Sequence, residues 1–374
     1  MPETVPIYRG RDFYVPAFDI KIEGKSLPKE THGDVIEVRY MDNIDEFDTF
    51  EITFNNWDAR TRDFKYTGSK SGAHEGTLSS LFDPGQKIEL WMGYFKPTAA
   101  AAERSNEAEP LRLMLVGTLT SLAPSFPPAG QPTIKVRGQN VLRNLSTTQE
   151  THVYENKKDS QIAEAIGRRG HLMFDNLRIE VKTDEGGKSK EETNEHVLQE
   201  NQLDIVFLLQ RAHRNGYDLV IKDESRRGRP RPILYFGPPE EPRVTYLLEW
   251  GKSLTQFQPN LSTTRQVNEV VIRCNDALRS DDRRSFEVRV SRDQIKTRCL
   301  RDPDKMKKLE KGFQDRREVI VDRPFRNERE ARRFATDRME RIVREMVTAR
   351  GTTVGSPDLR AGRIIEVRDV GSMF

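Results

Sequence analysis

Cysteine is the first scarcity. Only Cys274 and Cys299 occur in 374 residues. They stand 25 positions apart with no CxxC and no paired histidines nearby, which excludes a disulfide scaffold and a zinc site. Both are expected to be reduced thiols of a cytosolically made chain. Apolar residues are short as well, at 35% against 32% charged, with a mean hydropathy of -0.74. No apolar run approaches the roughly 20 residues of a spanning helix. The opening MPETVPIYRGRD lacks the apolar core of a secretory signal, so any action outside the cell is expected to use another route. Charge of one sign is missing too. Lys plus Arg number 62 and Asp plus Glu 59, a net +3, and no overall field marks a nucleic-acid binder. The six histidines (His32, His74, His152, His171, His196, His213) form no HExxH and no metal spacing. There is no GxSxG, P-loop or Rossmann fingerprint. Carboxylates are so common that a glycosidase pair could be drawn anywhere, and none is signalled. The expectation is a protein that is not an enzyme, with no catalytic, cofactor-binding or metal-ligating residues and no cofactor.

What is abundant is alternation. Phe50, Ile52 and Phe54 repeat every second residue, the period of a half-buried strand. Before them, Val35 to Tyr40 also reads as a strand, with apolar residues on mixed faces. The acidic DNIDEFD between the two reads as a solvated connection. Further strands are expected at Phe18–Glu23, Asp34–Met41, Lys87–Met92, Leu111–Leu122 and Thr133–Gly138. Turn chemistry at Asp83-Pro84-Gly85, Pro97 and Pro124 to Gly130 separates them. Many short punctuated strands suggest a barrel or sandwich. Thr98 to Pro110 is expected to be a surface loop. The length sets a prior of about two to three domains. With so few apolar residues, thin units stabilised partly by neighbouring subunits are expected rather than one thick globule.

The middle changes character. Lys158-Asp159-Ser160 can cap a helix carrying Ile162, Ala165 and Ile166 on one face. A second helix is expected from Asn201 to Arg214, with Leu203, Val206, Phe207 and Leu209–Gln210 on its core side, ending at Gly216. Lys182 to Asn194 has almost nothing to bury. A strand follows at Tyr217–Ile221, and from Val244 strands return at Tyr246–Trp250, Thr255–Asn260 and Gln266–Cys274. Between Arg273 and Arg350 there are 24 Lys plus Arg against 16 Asp plus Glu, a local excess of 24 − 16 = +8. Asn327 to Glu330 reads as a capping box, opening a helix with Ala331, Phe334, Ala335, Ile342 and Met346 on one stripe. A last strand is expected at Arg363–Arg368.

Three features invite a sharper reading. Trp57 and Trp91 could stack on sugars, but anchoring a barrel end or subunit contact is the favoured reading for such amphipathic rings. Asn55 and Asn56 are expected to turn the chain. Ser225 to Pro232, SRRGRPRP, contains an RGRP core similar to an AT-hook, whose arginines enter a narrow minor groove. Its place between Asp218–Lys222 and Ile233–Phe236 favours a basic hairpin loop. The basic excess after Arg273 reads as a solvated face, with a lumen lining or an acidic partner surface as its possible use.

Several stretches together resemble one family. Tyr14-Val15-Pro16-Ala17-Phe18 with DVIEVRYMDNIDEFDTFEITFNNWD from Asp34 to Asp58 is similar to the opening of the phage late control protein D family. That family includes contractile-tail baseplate hubs and the N-terminal half of VgrG spikes. Phe82 to Gly85 with Trp91 to Tyr94, Gly117 to Pro127, Asp159 to Ala163, Asp204 to Tyr217, and Val354 to Gly362 resemble later parts of it in order. The resemblance implies a mainly β, α+β fold with two tail-tube-like antiparallel β-barrel domains, at 1–147 and 243–374. The second would carry a charged helical insertion, and a small α/β domain would be inserted at 148–242. It implies a structural baseplate hub, a homotrimer adapting a hexameric inner tube to a trimeric spike. Expected partners are the inner tube protein, a separate spike protein and other baseplate components. Neither a membrane span nor nucleic acid is expected. Assembly would be in the bacterial cytoplasm, within a virion tail baseplate or an extracellular contractile injection particle. The rival readings are a peptidoglycan-degrading tail enzyme and a DNA-binding protein using the basic loop. Two departures stand out: no β-helix spike follows, and the chain stops at Gly371 to Phe374, where the family usually adds returning strands.

Overall fold

The computed structural model describes residues 3–7, 15–44, 46–68, 81–94, 111–169, 173–174, 177–178, 180–183, 191–226, 229–239, 244–275, 285–295, 303–313, 315–321, 325 and 327–371. Thr98 to Pro110, His74, His171, Cys299 and residues 184–190, 227–228 and 372–374 lie outside the described residues.

After β1 (Glu3–Pro6), one antiparallel sheet takes up most of the first part of the chain. It contains β2 (Pro16–Ile22), β3 (Lys25–Ser26), β4 (Val35–Met41) and β5 (Thr49–Asn55). The short helix α1 (Lys29–Gly33) stands between β3 and β4. After the small hairpin of β6 (Trp57–Asp58) and β7 (Asp63–Phe64), β8 (Lys87–Tyr94), β9 (Arg112–Ser125) and β10 (Thr133–Asn140) complete it. The expected strands are all present. Their order is β3-β2-β8-β9-β10-β5-β4, so the sheet is open. The closed barrel expected over 1–147 is not formed by the described strands, since the edge strands β3 and β4 are not paired with each other. Alternation does what its period demands. Phe50, Ile52 and Phe54 are buried with Ile20, Ile88, Leu90, Leu115 and Val136, while Glu51, Lys135 and Arg137 form a solvated ion-pair row on the other face. At Gly138 a Cβ would collide with the Phe50 ring and with Thr118 O, so the residue must lack a side chain where β9 and β10 shift register.

A 3-10 turn at Val141–Ser146, with Asn140 accepting from the Leu142 N–H, leads into the middle section. Here β11 (Gln149–Lys157), α2 (Asp159–Arg168), β12 (Met173–Phe174), β13 (Leu177–Arg178) and β14 (Glu180–Thr183) precede β15 (Asn194–Leu203). Then come α3 (Asp204–Asn215), β16 (Asp218–Arg226) and β17 (Arg229–Gly237). β11 and β15 form a two-stranded ribbon, and β14-β17-β16 form a small sheet. Helix α3 starts three residues later than its sequence suggests, because Gln202 and Leu203 pair in the ribbon and the Asn201 N–H donates to the Thr151 hydroxyl. Its buried face is Ile205, Phe207, Leu208 and Ala212, and Val206 is 41% exposed. It ends at Gly216, whose left-handed φ of 66° carries the chain into β16.

The remaining strands are β18 (Val244–Glu249), β19 (Leu254–Leu261), β20 (Glu269–Asn275), β21 (Ser285–Ser291), β22 (Arg317–Ile320), β23 (Val347–Thr353) and β24 (Ile364–Arg368). Helices α4 (Pro303–Glu310) and α5 (Glu328–Arg344) are inserted among them. Asn327 caps α5 by accepting from the Glu330 N–H, and Ala331, Ala335, Met339 and Ile342 pack on Val270, Ile272, Val288 and Val290. Three small sheets result, β1-β18-β24, β19-β23 and β21-β20-β22. None closes into the expected second barrel. β1 joins β18 in parallel, so residues 3–6 lie with the C-terminal strands.

Candidate functional site: a junction at Arg360

A cluster of charged groups lies where three distant parts of the chain meet. The connection from β23 to β24 crosses the first sheet. Tyr94 donates its hydroxyl to Gly355 O at 2.8 Å, and Arg112 pairs with the buried Asp358. Arg360 then reaches inward. Its Nε donates to Asp42 Oδ2 at 2.6 Å, and Nη2 donates to the Tyr40 hydroxyl at 2.8 Å and to Asp223 Oδ2 at 3.5 Å. The Ala361 N–H donates to the same Asp42 oxygen at 3.0 Å. One guanidinium thus ties the end of β4, the middle of β16 and the approach to β24.

Burial sets the electrostatics. It pushes Asp223 up to about 8, against the pull of Arg360 and the Val116 N–H that donates to its Oδ1. Asp48 is likewise pushed up by burial to about 6, although the Asn43 N–H and the Asn140 amide both donate to it. The Tyr40 hydroxyl is raised by burial as well. Burial works against the charge on Arg360, but Tyr40, Asp42 and Asp223 outweigh it and hold its pKa above the ordinary value. A planar fork with several donors suits this shared grip, which a lysine could not reproduce. The arrangement is enclosed, and its chemistry is that of a fastener. DNIDEFD is therefore no solvated connection throughout: Asp48 is buried and Asp42 faces Arg360. Carboxylates look alike in a sequence, and only the partner on another strand turns these inward.

A second network fastens the middle section. Arg211 Nε donates to Asp159 Oδ1 at 2.6 Å and its Nη2 to Asn194 Oδ1 at 3.0 Å. Arg214 Nε donates to Glu330 Oε1 at 2.6 Å, joining α3 to α5, and the Asn327 amide donates to Glu192, ahead of β15, at 2.9 Å. None of these pairs was singled out from the sequence.

The residues that were singled out stay apart. Trp91 is buried, its indole N–H donating to Glu89 at 2.9 Å, so it offers no sugar platform. Trp57 stands edge-on to Phe64 in the β6–β7 hairpin. Asn55 braces the turn by exchanging hydrogen bonds with the Trp57 backbone, and the buried Asn56 accepts from the Tyr66 N–H at 2.8 Å. Arg226 pairs with Arg229 across β16 and β17, placing the RGRP stretch at a hairpin end. Cys274 is buried, accepting from the Phe325 N–H. His32, His152, His196 and His213 fall on α1, β11, β15 and α3, and no metal-holding group of His, Cys, Asp or Glu occurs among the described residues.

The fold is similar to those of two phage tail proteins. The 43 kDa tail protein of prophage MuSo2 from Shewanella oneidensis is similar at TM-score 0.61 and 14% identity, over 95% of this chain and 89% of that one. A tail protein from Neisseria meningitidis MC58 is similar at TM-score 0.58 and 12% identity, over 95% and 86%. The family model described as the Alg8 N-terminal domain matches residues 13–374, and the chain belongs to that family. No curated protein sequence matches it.

Proposed function

We propose that the chain is a structural, non-enzymatic hub of a contractile tail or related injection particle, working as a homotrimer between a six-fold inner tube and a three-fold spike. The observation that carries this is the tail-protein fold extending over 95% of the chain, together with the ordered motifs that resemble the late control protein D family. Open sheets whose edges are unpaired among the described strands fit a part finished by its neighbours. In such a hub the tube-like β parts would close into a ring only across copies, which is how a trimer can offer two symmetries. The Arg360 junction suits a mechanical role, because it locks the C-terminal strands to the first sheet. Native mass by light scattering, alone and with the particle's spike and inner tube proteins, tests the reading. A species of about 130 kDa, three times 43.2 kDa, is expected, and a strict monomer in every mixture would sink it. The rival peptidoglycan-degrading enzyme predicts clearing on a zymogram that vanishes with one carboxylate variant.

A further inference from the structure

The β11–β15 ribbon carries an apolar pair that faces water. Val153 sits directly opposite Leu198, and they are 61% and 54% exposed. Their strand neighbours Tyr154, Val197 and Gln199 point the other way and are buried toward α2 and α3. Glu155 and Glu200 flank the pair on its exposed side, with His196 beside Glu155. Lys157 turns away after the left-handed Asn156 and lies over the Tyr154 ring. Neither ribbon strand pairs with any other described strand.

The β21-β20-β22 sheet shows a matching face. Its inner valines and isoleucines pack on α5, so Arg273, Arg289, Arg317 and Val319 lie on the other face; Val271 lies there too but is covered, 2% exposed. Val319 and the following Val321 are 46% and 65% exposed. Three guanidiniums (Arg273, Arg289, Arg317) stand there against two carboxylates (Glu269, Glu287), and the outer edge of β22 is unpaired among the described strands.

We infer that these two faces are mates, the ribbon of one copy docking on the β22 face of the next. Charge decides the choice of partner. Two ribbons meeting face to face would set Glu155 and Glu200 against their own copies, whereas the β22 face carries one more guanidinium than carboxylates beside the exposed Val319 and Val321. Two further strands with exposed apolar residues are poorer mates: in β24 Ile364 and Ile365 are adjacent and point to opposite faces, and in β4 Ile36 and Met41 stand at opposite ends of the strand. One chain cannot make the contact itself: the ribbon rests on α3, α3 on α5, and α5 on the inner side of β20 and β21. The contact is therefore heterologous, the type that builds rings when its rotation closes. It rests on the hub reading only for the number of copies.

The test uses the full chain carrying Val153→Asp with Leu198→Asp, or Val319→Asp with Val321→Asp. All four positions are exposed, and far-UV circular dichroism checks that each variant folds. Light scattering is expected to give a multimer for the wild type, monomers for each double variant, and a two-chain species when the variants are mixed, since one intact interface remains. Dissociation of the wild type should rise at least tenfold in constant between about 0.1 and 1 M salt. Double variants that keep the wild-type mass would overturn the docking inference while leaving the oligomeric hub standing. Monomeric variants that do not combine on mixing would overturn the pairing of the faces. A wild type that stays monomeric alone would overturn the copy-to-copy contact, and the spike and tube mixtures would then decide the hub reading separately.

Discussion

At the scale of single residues, Arg360 is where the molecule is most vulnerable. Its guanidinium is shared by Asp42, Tyr40 and Asp223, and Arg360→Ala would leave buried acids without their cation. A loss of about 3–5 kcal/mol is expected, read from urea denaturation, with Arg360→Lys recovering only part. Asp223 and Asp48 make the stability depend on pH. Both hold their protons more tightly when folded than the roughly 3.9 of an unfolded aspartate. Their contribution is full below about pH 4, and it is lost as pH rises, through about 6 for Asp48 and about 8 for Asp223. Asp223→Asn is therefore expected to raise the denaturation midpoint above pH 8 relative to wild type and to change it less near pH 5. An unchanged pH profile would mean that the proton sits elsewhere.

Elements follow local rules except where a neighbouring strand competes. Asn201 to Leu203 would serve as a helix start by composition, yet the pairing of Gln202 and Leu203 with β11 and the Asn201 bond to Thr151 hold them in the ribbon. The buried face of α3 turns with its start, so Phe207 lies in the core as expected while Val206 faces out. Phe207→Ala should cost roughly 3–5 kcal/mol and Val206→Ser less than about 0.5 kcal/mol. Thermal unfolding of the pair checks this, and equal effects would mean that the face is misassigned. Gly138 has a different reason to be what it is. A Cβ there meets the Phe50 ring, so Gly138→Ala should destabilise by about 1–3 kcal/mol, with partial recovery in a Gly138→Ala, Phe50→Leu double variant.

For the whole molecule, thin sheets and abundant charge suit a part that is stable chiefly within an assembly. Ion pairs such as Glu51 with Lys135 and Arg137 are exposed on at least one side and contribute little each. Unpaired sheet edges leave hydrogen-bonding groups for a neighbour. The expected outcome is a melting temperature that rises with protein concentration, as it must when association and folding are linked. A concentration-independent value would count against assembly-dependent stability.

Much of the fold was legible from the sequence, because a period of two or of 3.6 residues is a local property. Phe50, Ile52 and Phe54 announced β5, and Asn327 with Ala331 and Ala335 announced α5. The turn at Gly216 needed only the ability of glycine to take a left-handed conformation. Tertiary structure alone decided how the strands were shared out: β1 pairs with β18, 244 − 3 = 241 residues away, and the first sheet stays open among the described strands. It alone made Asp42 and Asp223 partners of Arg360 and buried Asp48 beside Asn140. Side-chain chemistry is written residue by residue, but whether a carboxylate is solvated or buried depends on what the rest of the chain brings to it.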